Sequence, residues 1–174
     1  QQTVHERFGG VVPELASRAH IQNVDHVTRQ ALDAAGLTWQ DLGAIAVTQG
    51  PGLAGALLVG ISYAKSLAYA LGIPLVGVSH LEGHIASAWI DRPSFPRTCV
   101  VLIASGGHTH LFHATEHGGF HLMGRTIDDA AGEAFDKAAN LLGFQYPGGA
   151  RLAGEADLCS AEMRGLYKLP KVMR

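Results

Sequence analysis

The sequence predicts an α/β fold, and three observations carry that reading. Short apolar runs of strand length at 44–48, 74–78 and 99–104 alternate with longer stretches of helical periodicity. Hydrophobic residues make up 47% of the chain and charged residues only 16%, which supports a real core and excludes a disordered class. The 22 glycines in 174 residues are many for this length, and point to a turn-rich protein with short connections. Strand, helix, strand, helix in succession argues for a parallel or mixed sheet covered by helices.

Each element has a local reason. Residues 1–12 are polar and then glycine-rich, like the tail of a loop. Pro13 suits a first helical turn, with Glu14 favourable against the helix dipole. Val24, Val27, Ala31, Leu32 and Ala35 recur at helical spacing, and Gly36 supplies the stop. Thr38 is placed to cap a short turn through Asp41. The strand at 44–48 ends in the turn Gly50-Pro51-Gly52, and a long apolar helix follows, read as buried. Gly55 and Gly60 cost that helix propensity, so close packing is expected to compensate. Gly72 ends it. A buried strand is expected at 74–78 and a helix at 80–90. The segment 91–97 holds two prolines and no periodicity, and is the best lobe boundary. Beyond it, strands are expected at 99–104, 109–115 and 120–126, the last two around a Glu116-His117-Gly118-Gly119 turn. Helices follow at 128–142 and 152–163. The first unit is thus 1–95 and the second 96–174.

Composition also bounds function. The formal net charge of −2 lacks the basic excess of a protein that grips a long nucleic-acid surface unaided, so any such contact needs a local patch or another chain. Cys99 and Cys159 have no metal or redox spacing and read as two reduced thiols. The apolar run at 53–71 is interrupted by Lys65 and falls short of the roughly 18 consecutive apolar residues of a membrane span. The expectation is a cytoplasmic protein with no membrane partner.

Chemistry-bearing residues cluster in four places. His80 and His84 in Ser79-His80-Leu81-Glu82-Gly83-His84 are four apart, which stacks both imidazoles on one helix face, able to share a metal ion. Ser105-Gly106-Gly107-His108-Thr109 sits between two strands, where consecutive glycines serve equally as a hairpin corner or as an anion-binding backbone concavity. His108 and His110 read as solvent-face or hydrogen-bonded core residues. Asp128-Asp129 precede a helix that one acid could cap, with Glu133 and Asp136 downstream on one face. Such a face can bind ribose hydroxyls, a lysine or a metal, or be solvated beside Lys137. Gly148-Gly149 is either a helix-entry turn or a ligand contact. Neither a Walker A sequence nor G-x-G-x-x-G is present.

Taken in order, the stretch from Gly9-Gly10-Val11-Val12-Pro13-Glu14 to His20, then Gly50-Pro51-Gly52-Leu53, the His80–His84 stretch, Ser105–Thr109, Asp128-Asp129-Ala130-Ala131-Gly132-Glu133-Ala134-Phe135-Asp136-Lys137 and Tyr146-Pro147-Gly148-Gly149 closely resemble the catalytic subunit of the tRNA N6-adenosine threonylcarbamoyltransferase family. Members of that family were formerly labelled O-sialoglycoprotein endopeptidases. The resemblance covers residues 9 to about 150. It implies an actin-like ATPase or sugar-kinase-like fold of two lobes, here incomplete. It implies transfer of a threonylcarbamoyl group from threonylcarbamoyl-AMP to N6 of adenosine 37 in tRNAs that read codons beginning with A. By the same resemblance His80 and His84 would ligate iron or zinc, with a third ligand, an Asp, beyond this sequence. Ile103, Ala104, Ser105, Gly106 and Gly107 would line the adenylate site, with Asp136 and Gly149 on its ribose side. Partners implied are the tRNA, a paralogous subunit and a small ATPase. An early strand and a long continuation of the family pattern are missing, so the chain reads as a fragment that alone would be inactive, with exposed sheet edges and apolar surface.

Three rival readings share these residues. A metalloprotease would need a glutamate directly after the first histidine, whereas Glu82 is two residues from each, roughly 200° around the helix. A related carbamoyltransferase of the same fold would share the reaction class. A non-catalytic scaffold paralogue would lack the histidine pair.

Overall fold

The computed structural model describes residues 10–90, 92, 94–160, 162, 163 and 166. The readings for 1–9 and for the chain end from 167 lie outside these residues. Helix α1 is Pro13–Ala35, with proline in its first turn and Gly36 in the left-handed conformation at its end (φ 67°). Glu14 and Arg18, one turn apart, pair at 2.7 Å on its exposed face. Thr38 opens a short 3-10 turn, Trp39–Asp41, where its N–H and O–H both donate to Asp41 Oδ2 at 2.8 and 2.7 Å.

Strands β1 (Ile45–Gly50) and β2 (Leu75–Ser79) pair in parallel, joined by helix α2 (Ala54–Leu71). This is the strand–helix–strand unit the alternation predicts, and parallel pairing needs such a crossover. Helix α2 lies against α1 and over β1. The expectation that α2 is buried is corrected: only Ala64 and Ala68 are buried, while Leu58 and Tyr69 are 65% and 91% exposed. Only one stripe of the helix meets α1 and the sheet. By length and composition alone α2 would also suffice to cross a membrane. Of its glycines, Gly55 is a close-packing position: a Cβ there would sit 2.5 Å from Ser17 Oγ on α1. Gly60 is not, since its nearest neighbour would be Val47 Cγ2 at 3.9 Å.

Helix α3 follows β2 without a linker, but the helix expected over 80–90 is shorter. It is α-helical over His80–Ala86 and tightens to a 3-10 turn over Ser87–Trp89. There Ser87 Oγ donates back to the His84 carbonyl at 2.7 Å, an alternative to the regular ladder.

Strands β3 (Cys99–Ala104), β4 (Thr109–Ala114) and β5 (Phe120–Arg125) form an antiparallel meander with a bulge between Leu111 and Phe112. The parallel-or-mixed expectation therefore holds for the first unit, while the second is antiparallel. Helix α4 (Ala131–Leu141) begins three residues later than expected, and α5 (Gly149–Asp157) both begins and ends earlier. Cys99 and Cys159 are free thiols.

The buried apolar cluster is Leu81, Ile85, Ile103 and Phe112, with Trp89, Val101 and Phe120 packed against it. It joins α3 to the inner face of β3–β4, across the boundary expected at 91–97. Leu81 and Ile85 are one turn apart, 8% and 1% exposed, so they fix the rotation of α3 about its axis. Burying such a side chain is worth about 1.5–3 kcal/mol. Elsewhere apolar surface is open to solvent: Ile127 and Leu141 are 90% and 88% exposed.

Candidate functional site

The histidine pair owes its position to that rotation. Ser79 Oγ accepts the Glu82 N–H at 3.4 Å, so the helix starts at His80. With residues 81 and 85 locked in the core, the adjoining stripe carries His80 and His84 side by side. Their Nε2 atoms lie 3.2 Å apart and their rings meet edge to face, 4.5 Å between centroids. Two nitrogens bound to one tetrahedral ion at about 2.0–2.1 Å would be about 3.3 Å apart, so this separation matches that of two ligands on one ion. Among the described residues no group of three His, Cys, Asp or Glu is gathered as a metal set. Glu82 is exposed on another side of the helix, with only its backbone N–H engaged by Ser79.

The pair is continued by His108 and His110, which from the sequence alone read as solvent-face or hydrogen-bonded core residues. The His108 ring lies 6.1 Å from that of His80 and 5.4 Å from that of His110, which in turn stacks on Phe112 at 5.9 Å. Burial pushes the His108 imidazole below its ordinary pKa, and the neighbouring His110, His80 and His84 push the same way. His110 Nδ1 is buried without a hydrogen-bond partner. Only the i, i+2 alternation of 108, 110 and 112 on one strand face signals this array in sequence, and the alternation does not reveal which face is covered.

The glycine turn is built by its flanks. Ser105 N–H donates to the His108 carbonyl at 2.8 Å, and His108 N–H donates to Ser105 Oγ at 3.1 Å, leaving Gly106 and Gly107 at the tip. Ile103 is in the apolar core and pairs with His110, Ala104 pairs with Thr109, and Ser105 braces the turn. Gly106 and Gly107 line a cleft of about 690 Å³, shared with Glu133, Asp136, Asn140 and Tyr146.

The far wall of the cleft is α4. Its cap is not one of the acids, as the sequence reading allowed, but Thr109, whose Oγ1 accepts the Ala131 N–H at 2.8 Å. Gly132 N–H donates to the Ser105 carbonyl at 3.1 Å. A Cβ on Gly132 would lie 2.8 Å from Gly106 Cα, Gly106 N and Ser105 C, so only glycine admits the turn this close. Sequence reasoning passed over Gly132, although a glycine in a helix's first turn is an unfavourable choice that asks for such a reason.

The acidic face divides in two. Lys137 Nζ pairs with Asp129 at 2.6 Å and Glu133 at 3.0 Å, and its pKa is raised, first by the hydrogen bond it donates to Asp129 and then by the one it donates to Glu133. Asp136 instead accepts the N–H groups of Gly148 and Gly149 on one oxygen, Oδ1, at 3.0 and 2.8 Å. It thereby caps α5 and ties the Tyr146–Gly149 segment to the cleft. A Cβ at Gly149 would stand 3.2 Å from both Asp136 Oδ1 and Phe135 Cβ.

The model of the tRNA N6-adenosine threonylcarbamoyltransferase (TsaD) family matches residues 1–174. Relatives bearing that name include one from Moorella thermoacetica, 57% identical over 152 residues, which span 87% of this chain and 44% of that protein. Another, from Geotalea uraniireducens, is 56% identical over 161 residues, 90% of this chain and 46% of that protein. The chain thus spans about half the length of the curated relatives it matches. Among solved structures, YeaZ from Pseudomonas aeruginosa gives a partial likeness, with a TM-score of 0.46 at 25% identity over 60% of this chain and 51% of that one. With the whole chain matched by one family model and 56–57% of the aligned residues identical to these curated members, the chain belongs to the tRNA N6-adenosine threonylcarbamoyltransferase family.

Proposed function

We propose that the protein carrying this chain transfers the threonylcarbamoyl group from threonylcarbamoyl-AMP to N6 of adenosine 37 in tRNAs that read codons beginning with A. The observation that carries the proposal is the single cleft bounded by Gly106, Gly107 and Asp136, with the paired Nε2 atoms of His80 and His84 beside the same turn. AMP is the leaving group. Backbone N–H groups at the glycine turn can take the phosphate charge without a lysine, consistent with Lys137 being engaged by two carboxylates. Asp136, with Oδ1 occupied by two amides, offers its other oxygen to a ribose hydroxyl beside Gly149. No covalent protein nucleophile is required.

His80 and His84 would hold an iron or zinc ion, completed by an Asp from outside this chain, as the 3.2 Å separation of their nitrogens permits. Such an ion supplies Lewis-acid polarisation that favours attack by a weakly nucleophilic exocyclic amine. Burial, then the neighbouring histidines, lower the His108 pKa, which disfavours a competing positive charge beside the pair. A paralogous subunit and a small ATPase are the expected partners, in the cytoplasm, and the lack of basic excess agrees with a tRNA surface shared among chains. The two-lobe, actin-like arrangement, split near 95, belongs to this reading.

The test is nucleoside mass spectrometry of tRNA from cells depleted of the protein and complemented with full-length parent, His80→Ala or Asp136→Ala. Parent should restore threonylcarbamoyladenosine and both variants should fail while the proteins accumulate normally. Full restoration by His80→Ala would sink the metal assignment, and failure of the parent would sink the activity.

A further inference from the structure

The β4–β5 hairpin carries two histidines outside the site described above. His113 on β4 and His121 on β5 are direct cross-strand partners, held between the pairs Phe112–Leu122 and Ala114–Phe120. Phe112 and Ala114 are buried, so the pleat turns His113 and its partner to the opposite, outer face of the sheet, away from the His80–His84 pair. The two rings are 6.4 Å apart between centroids and inclined by 33°. Among the described residues no side-chain hydrogen bond or ion pair engages either ring, and His121 is exposed. Val100, the neighbour of His113 on β3, contributes no ligating atom and is 61% exposed.

We infer that His113 and His121 form a second, independent metal site that chelates a borderline divalent cation through two neutral imidazoles, with copper(II) preferred. Ligating nitrogens sit about 2.0–2.1 Å from the ion, which puts two ring centroids sharing it about 5 to 6.5 Å apart, from tetrahedral to trans. The observed 6.4 Å sits at the trans end of that range, which suits a square-planar ion and not a tetrahedral one. The register of two paired strands holds the rings at this spacing before any ion arrives, so the second imidazole binds as an intramolecular event. Imidazole donors suit copper, nickel and zinc, and the ordering of affinities among such ions places copper(II) first. Waters would complete the coordination on the open face. An ion there would tie β5 to β4 near their hairpin turn by a second means besides the ladder.

The test uses full-length protein bearing His80→Ala and His84→Ala, so that the first pair is silent, with copper(II) chloride as probe. Equilibrium dialysis gives stoichiometry and affinity, and electron paramagnetic resonance counts the nitrogens bound. In that background one copper with two equivalent nitrogens is expected, and adding either His113→Asn or His121→Asn should weaken that site by about tenfold or more. The two together should abolish binding at that site, and neither nickel nor zinc should displace copper at equal concentration. Copper affinity unchanged by His113→Asn and His121→Asn together, or a spectrum with one nitrogen in the starting background, would overturn the assignment. Far-UV circular dichroism checks that these outer-face substitutions keep the fold.

Discussion

Gly132→Ala sets two expectations of opposite sign against each other. Helix propensity alone predicts a gain of up to about 1 kcal/mol, since alanine replaces glycine in a helix. The structure predicts a loss. The new methyl would sit 2.8 Å from Gly106 Cα, Gly106 N and Ser105 C, all backbone or directly on it. Carbon atoms prefer about 3.5–4.0 Å, so turn and helix must separate by roughly 0.7 Å or more. Overpacking of this kind costs about 1–3 kcal/mol. Separation also stretches two bonds across the same gap, Gly132 N–H to the Ser105 carbonyl and Ala131 N–H to Thr109 Oγ1, each worth about 0.5–1.5 kcal/mol. The net expectation is destabilisation by about 1–3 kcal/mol, read as a lower urea midpoint at unchanged slope. If the proposed function holds, displacement of the glycine turn should lower AMP affinity of the full-length protein as well, and a misplacement near 1 Å can cost about a hundredfold in turnover. A variant as stable as the parent, with unchanged AMP affinity, would refute the reasoning.

Other outcomes follow from the same geometry. Gly60→Ala should stabilise by about 0.4–1 kcal/mol in urea unfolding, because its Cβ would meet only Val47 Cγ2 at ordinary contact distance. The hydrogen bond from the Thr38 hydroxyl, then that from its backbone N–H, hold the Asp41 carboxyl below its usual range. The cap is therefore fully present above the ordinary carboxylate pKa and is lost as pH falls through the lowered native value. Asp41→Asn should flatten that acid limb while leaving stability at neutral pH only slightly lower, as followed by pH-dependent unfolding. The 174-residue chain expressed alone should show no threonylcarbamoyl transfer to tRNA and weak zinc retention, since two histidines under-ligate the ion. Robust transfer by that chain would contradict the proposed ligand set.

Much of the architecture was legible because local signals agreed. Pro13 and Gly36 bracket α1, Thr38 and Asp41 close their turn, and the alternation of short apolar runs with a helical pattern anticipates β1–α2–β2. What the sequence could not convey was which polar group meets which across space. Asp129 stood where a cap belongs, yet the Ala131 N–H is held by Thr109, 22 residues before Ala131. Glu133 and Asp136 looked like one acidic face, and Lys137 divides them. Helix α2 is apolar on nearly all sides, so its periodicity could not say how little of it is covered. The pair His80 and His84 was readable from spacing, while the array onward to His108 and His110 depends on packing α3 against β4.

The stitching between the glycine turn and the start of α4 has a mechanical consequence. Thr109 offers its hydroxyl to Ala131 and its carbonyl to Thr126, and Ser105 its carbonyl to Gly132, so strand, turn and helix are riveted at three points. These two walls of the cleft have little compliance toward each other. On the proposed function a nucleotide would meet these walls as they stand, while the rest of the cleft's rim includes Leu53 and the Tyr146 segment, tied through one Asp136 oxygen. On that reading a turn already fixed in shape would cost no ordering on binding, which leaves the interaction energy for alignment of the acyl end.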